Sequence, residues 1–187
     1  MKNYRAYSLI LPLALSLAAP QAIAATVDET QGLSITVQEV AELSLYQGPS
    51  GTHFDIGATA PQAGDTPSAI VTGAMDARLH YTSVVPAGTT RSISVSLDGD
   101  LQPGMRLMLS IPMIIGEGQV GNSQFSAPTE LTASPKVAIN SIGSAVTGTG
   151  ANAGAQLAYS LSYDATELTA TDSPIDVTVL YTLSAAE

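Results

Sequence analysis

The sequence predicts an all-β protein, an antiparallel β-sandwich of about eight strands, and three observations carry that expectation. Lys and Arg number only six in 187 residues, while Val, Ile, Thr, Ser and Gly abound, a composition that suits pleated strands better than helices. Apolar residues return at every second position in one stretch after another, the period of a strand with one buried face. The 16 glycines and 11 prolines fall between those stretches, where tight turns need them.

Residues 1–24 read as a cleavable export signal. Lys2 and Arg5 give the positive start, residues 8–19 are apolar, and Ala22-Ile23-Ala24 is an A-x-A cleavage site just beyond Pro20. The apolar run is about a dozen residues, short of the roughly 20 that span a bilayer. The expected mature chain is 25–187, a single domain with no stable membrane insertion after cleavage. It keeps Arg78, Arg91, Arg106 and Lys136 against all sixteen acids, so its formal charge moves from −10 to −12. Such a surface repels the phosphates of nucleic acids and anionic lipids.

Along the mature chain, Leu33, Ile35 and Val37 alternate with Ser34 and Thr36. The apolar series is interrupted at Gln38-Glu39, and Ala41, Leu43 and Leu45 then alternate with Glu42 and Ser44. This is either one strand carrying a β-bulge or two segments joined by a hinge. Further strands are expected at 53–56 and 77–84, with His80 on the face opposite Leu79 and Tyr81, towards solvent. Ile93, Val95 and Leu97 mark the next, then Met105, Leu107, Leu109 and Ile111. Another lies at 136–142. Leu157, Tyr159, Leu161 and Tyr163 follow, and the last carries Ile175, Val177, Val179, Tyr181 and Leu183. Turns are signalled at 48–51, 86–88, Asp98-Gly99, Pro103-Gly104 and 148–154, the last read as a flexible hairpin loop. Residues 116–135, with Phe125 their one aromatic, are expected as a surface loop or two short edge strands with Phe125 tucked onto the core; the alternative is a binding loop. Short strands separated by Gly/Pro turns point to two sheets with Greek-key links, broadly immunoglobulin-like.

Chemistry is sparse. The absence of Cys excludes disulfides, thiol catalysis, cysteine–zinc sites and lipid attachment at a lipobox. A domain of about 160 residues can bury around 68–70% of its unfolded surface and stand without disulfides. His53 and His80 are the two histidines, and nothing near them has zinc-ligand spacing. No G-x-S-x-G elbow occurs. Asp98, Asp100, Glu117 and Glu130 could in principle pair for glycoside hydrolysis, but the chain has no Trp and two Phe to build a sugar platform. Asp98 and Asp100, or Asp164, Glu167 and Asp172, offer oxygen ligands for calcium without matching an EF-hand loop, and Asp favours turns in any case. No catalytic residue, metal or cofactor is expected, and the protein is read as non-enzymatic.

The layout resembles secreted fimbrial subunits and spore-coat-U-like pilin domains. They too carry an alternating segment soon after the signal, here residues 32–46, and a strongly alternating strand near the C-terminus, here 175–183 with Tyr181 near its end. The resemblance covers the mature chain in outline, and the cysteines common in those families are absent. It implies a structural or adhesive surface protein whose sheet lacks one strand. The N-terminal segment of the next subunit would fill that place by β-strand addition, with Leu33, Ile35 and Val37 as donor-strand anchors. The partners would be further copies of the chain in a homopolymer, or other surface proteins. The other reading is a monomeric secreted module binding a glycan, a cation or a protein. Both place the protein in the periplasm, at the cell surface or outside the cell.

Overall fold

The computed structural model describes residues 34–47, 53–57, 59, 61–72, 77–185 and 187. The expected export signal, Leu33 and the 48–51 turn lie outside the described residues. By its contacts the chain divides into Met1–Thr36 and Val37–Glu187, and the fold that follows is that of the second unit.

The described residues contain strands and no helix. In chain order these are β1 (Val40–Tyr46), β2 (His53–Ile56), β3 (Ala69–Thr72), β4 (Ala77–Val84), β5 (Arg91–Asp98), β6 (Met105–Ser110) and β7 (Ile114–Ile115). There follow β8 (Glu117–Gly118), β9 (Asn122–Ser123), β10 (Thr129–Glu130), β11 (Lys136–Ile142), β12 (Ala145–Val146), β13 (Gly154–Tyr163) and β14 (Thr178–Leu183). Two antiparallel sheets pack face to face as a sandwich, and β2 and β3 form a separate ribbon. In the larger sheet β1 lies on one edge of β4, and β13 and then β12 lie on the other. β6 and β7 both pair with β13, and β10 pairs with β6. The smaller sheet runs β14-β5-β11-β9.

Period-two alternation fixes the faces. In β5, Arg91, Ile93, Val95 and Leu97 are buried while the intervening serines are half-buried. Facing them from the larger sheet are Leu79 and Tyr81 of β4, Leu107 and Leu109 of β6, and Ala155 and Leu157 of β13. Each buried side chain of this kind stabilises by about 1.5–3 kcal/mol. In β11 the alternation is interrupted by register shifts, and Ser141 takes φ 56° there, as a bulged strand requires.

One side of the sandwich is stitched shut. Leu131 N–H donates to Leu107 O of the larger sheet, and the adjacent Thr132 O accepts from Leu97 N–H of the smaller one. A few residues earlier, Gln124 N–H donates to Ala138 O while Phe125 O accepts from Ile111 N–H. Residues 116–135 are thus a seam of short strands passing between the sheets, with Phe125 in the core. This is the edge-strand alternative with Phe125 tucked inward, extended over more segments than the sequence showed. Alternation could not find them, because two-residue strands have no period.

Two details of β4 depart from expectation. His80 does point away from Leu79 and Tyr81, yet it is only 7% exposed. Its Nε2–H donates to Gly150 O at 3.0 Å, so residues 147–153 cover it. Those residues are no hairpin: β12 before them and β13 after them pair with the same strand, β4. They form an excursion from one strand line. Thr147 anchors its start, its Oγ1 accepting from Tyr81 N–H at 2.9 Å and donating to Tyr81 O at 3.1 Å.

Candidate functional site

The side opposite the seam is open. There β1 ends the larger sheet and β14 ends the smaller one, and among the described residues neither strand has a second ladder partner. The two strands run in opposite directions beside each other. The start of β1 and the end of β14 meet at Arg91, and the end of β1 and the start of β14 flank a cleft.

At the Arg91 end, the alternation of β5 turns a guanidinium inward to 6% exposure. A buried charge needs partners, and Arg91 has two. Nη2 pairs with the Glu39 carboxylate, and Nη1 donates to Ser184 O at 2.8 Å. One side chain therefore ties the residue before β1 to the residue after β14. Midway, Tyr159 of β13 and Tyr181 of β14 join hydroxyls across the two sheets at 2.7 Å. Burial pushes both phenols above the ordinary tyrosine range. The hydrogen bond to Tyr181 draws Tyr159 partly back, and the nearness of Tyr159 raises Tyr181 further. Both remain neutral donors and acceptors at physiological pH.

At the other end the sheets part around a cleft of about 920 Å³. Leu45, Met105, Leu107, Leu161, Val177 and Val179 contribute apolar walls, and Asp55, Asp172 and Asp176 are among its polar residues. The free edge of β14 has the sequence TVLYTL, without charge, Pro or Gly. Exposed edges are normally guarded by such residues, so this one is a ready template for another strand.

No family model, curated protein or solved structure matches this chain.

Of the expected anchors, Leu33 lies outside the described residues. Ile35 and Val37 lie in no strand and are 78% and 77% exposed, the most exposed of the large apolar residues described. Val37, in the same unit as the sandwich, is left to solvent and outside the core. The bulged single strand is therefore not the arrangement seen: β1 begins at Val40. Among the described residues no three His, Asp or Glu side chains gather as metal ligands would. Asp164 is occupied locally, its carboxylate accepting from Thr166 N–H at 2.9 Å and Thr166 Oγ1 at 2.7 Å, which holds its pKa below the usual value.

Arg91 and the tyrosine pair were not singled out from sequence, though a signal existed for the first. Arg91 shares the parity of Ile93, Val95 and Leu97, and an inward arginine demands an acid and a carbonyl nearby. No comparable signal marks the Tyr159–Tyr181 bond, because it depends on strands from different sheets.

Proposed function

We propose that the protein is an exported, non-enzymatic structural subunit that assembles by β-strand addition, an N-terminal segment of one copy entering the open side of another. The observation that carries this reading is the uncharged free edge of β14 beside a cleft of mixed apolar and acidic lining, in a chain that also holds solvent-exposed Ile35 and Val37 at strand spacing. Burying those two side chains is worth about 1.5–3 kcal/mol each, and main-chain pairing to a strand edge adds to it.

Strand order supports the same reading. In an immunoglobulin-like sandwich strands A, B, E and D make one sheet and C, F and G the other. Here β1, β4, β13 and β6 lie side by side in one sheet, and β5 and β14 are neighbours in the other. Chain order agrees if these six are A, B, E, D, C and F. No described strand occupies the outer side of β14, where that plan has G. The chain that would supply it is the segment carrying Leu33, Ile35 and Val37.

The test uses a chain from Ala25 with Ile35→Asp and Val37→Asp, which cannot donate, mixed with a labelled peptide of residues 29–38. Saturable binding, lost when the peptide carries the same two substitutions, is the expected result. Absence of binding at any concentration contradicts the proposal. The second reading, a monomeric ligand-binding module, draws on the cleft, whose volume lies within the roughly 300–1,000 Å³ usual for small-molecule sites. An apolar probe that binds the cleft in a strictly monomeric parent chain would favour it.

A further inference from the structure

The proposed groove raises a question of its own: what keeps a subunit's extension out of its own open side, at far higher effective concentration than any other copy's? Residues 33–37 precede β1 directly, so the nearest free edge they could reach is that of β1, by a hairpin.

The register of β1 answers it. Leu43 pairs with Tyr81 and Leu45 with Leu79, so Ala41, Leu43 and Leu45 face the core, and Val40, Glu42 and Ser44 face outward. A hairpin turning on Gln38-Glu39 would set Val37 opposite Val40, Ile35 opposite Glu42 and Leu33 opposite Ser44. Directly opposed residues share a face, so all three apolar side chains would point away from the core. A one-residue slip is all that separates the two faces, and the apolar residues keep odd numbers on both sides of Gln38-Glu39, the parity that a two-residue hairpin sets on opposite faces. A three-residue turn could restore the facing only by using Val37 as a turn residue or by taking Val40 from its place opposite Val84.

The turn itself is opposed. Two-residue hairpins need positive φ and take Asn, Asp or Gly, and Gln-Glu offers none of these. Glu39 is also the acid that pairs with buried Arg91. Folding residue 39 into a turn would strip that carboxylate away and leave Arg91 with Ser184 O as its one remaining acceptor among those described.

Resting on the strand-addition reading, we infer that the unbroken odd-numbered register across Gln38-Glu39, pinned by Arg91, bars each subunit's extension from its own groove and so reserves that groove for a second copy. The device is in the register, and one inserted residue undoes it. Replacing Glu39 by the dipeptide Asn-Gly supplies a two-residue turn between Gln38 and Val40. Val37 then falls opposite Ala41, Ile35 opposite Leu43 and Leu33 opposite Leu45, all facing inward.

The experiment compares four chains from Ala25 by light scattering after size exclusion, with thermal melts. They are the parent, the Glu39→Asn-Gly chain, a control carrying Gln38→Asn with Glu39→Gly, and the Ile35→Asp/Val37→Asp chain. The control has the same turn chemistry and loses the same carboxylate, but keeps the outward facing. The parent and the control are expected to form oligomers. The Glu39→Asn-Gly chain is expected to be monomeric at every concentration, to melt above the Ile35→Asp/Val37→Asp chain, and to refuse the 29–38 peptide. Oligomers from the Glu39→Asn-Gly chain like those of the parent would overturn the inference. So would a monomer that melts no higher than the Ile35→Asp/Val37→Asp chain, or a control that also turns monomeric. A parent that neither assembles nor donates is a different failure: it removes the strand-addition reading, and this inference falls with it.

Discussion

The excursion between β12 and β13 offers two glycines with opposite surroundings, Gly150 within it and Gly154 where β13 begins, and Gly154→Ala and Gly150→Ala together test how it is built. Both residues have positive φ, +80° for Gly154 and +99° for Gly150, so both substitutions carry the left-handed penalty of about 1–2 kcal/mol. Only Gly154 is crowded. A Cβ there would meet the Leu79 carbonyl oxygen and lie 2.6 Å from His80 Cδ2, whereas at Gly150 nothing lies within 4 Å. Leu79 O is backbone in the middle of β4 and cannot step aside without disturbing the ladder on both edges. Overpacking of this kind costs about 1–3 kcal/mol, so Gly154→Ala should be less stable than Gly150→Ala by about 2 kcal/mol. For a domain of this size each kcal/mol moves Tm by about 2–4 °C, giving a gap of about 4–8 °C. Urea melts of the same chains should show shifted midpoints with unchanged slopes. Two variants melting within about a degree of each other would refute the close return of the chain onto β4 at Gly154.

Leu109→Ala empties a site that is 0% exposed and should cost about 2–5 kcal/mol in urea melts. Thr147→Val removes the hydroxyl that accepts from Tyr81 N–H and donates to Tyr81 O; Tyr81 O keeps the Thr147 N–H, while the buried Tyr81 N–H loses this acceptor, which should cost about 1–3 kcal/mol. Tyr81, Tyr159 and Tyr181 all have pKa values raised by burial. The fold holds the neutral phenols, so their stabilisation is complete below the free-tyrosine pKa of about 10 and is lost as pH climbs from there towards the higher folded values. An alkaline titration followed by tyrosinate absorbance should show these three ionising only as the chain unfolds; their ionisation in a chain that keeps its fold would contradict the burial assigned to them.

Much of the sandwich was legible in the sequence because its long strands each bury one face. Ile93 to Leu97 and Leu157 to Tyr163 alternate cleanly, and both are strands. Alternation at the C-terminus was read three residues too far, since β14 starts at Thr178, although Val177 still packs on the core. The short segments of the seam, such as Thr129–Glu130, were illegible because their pairing is decided by backbone hydrogen bonds to two different sheets. His80 shows the limit of a parity argument: parity gives the face correctly, but not whether a loop from seventy residues away covers it. The groove was legible only as an interruption of the apolar series at Gln38-Glu39. Its walls come from β1, β2, β6, β13, β14 and the segment 168–177 before β14, and no local pattern tells which of these become neighbours.

The central claim is that the exposed apolar side chains before β1 act between copies of the chain. Light scattering after size exclusion, on the chain from Ala25 and on the same chain with Ile35→Asp and Val37→Asp, tests it most directly. Both residues are over three-quarters exposed, so the substitutions should leave Tm of the monomer unchanged. The account predicts concentration-dependent oligomers for the parent and a monomer for the variant. A parent that stays monomeric at every concentration, or a variant that assembles equally well, would contradict it.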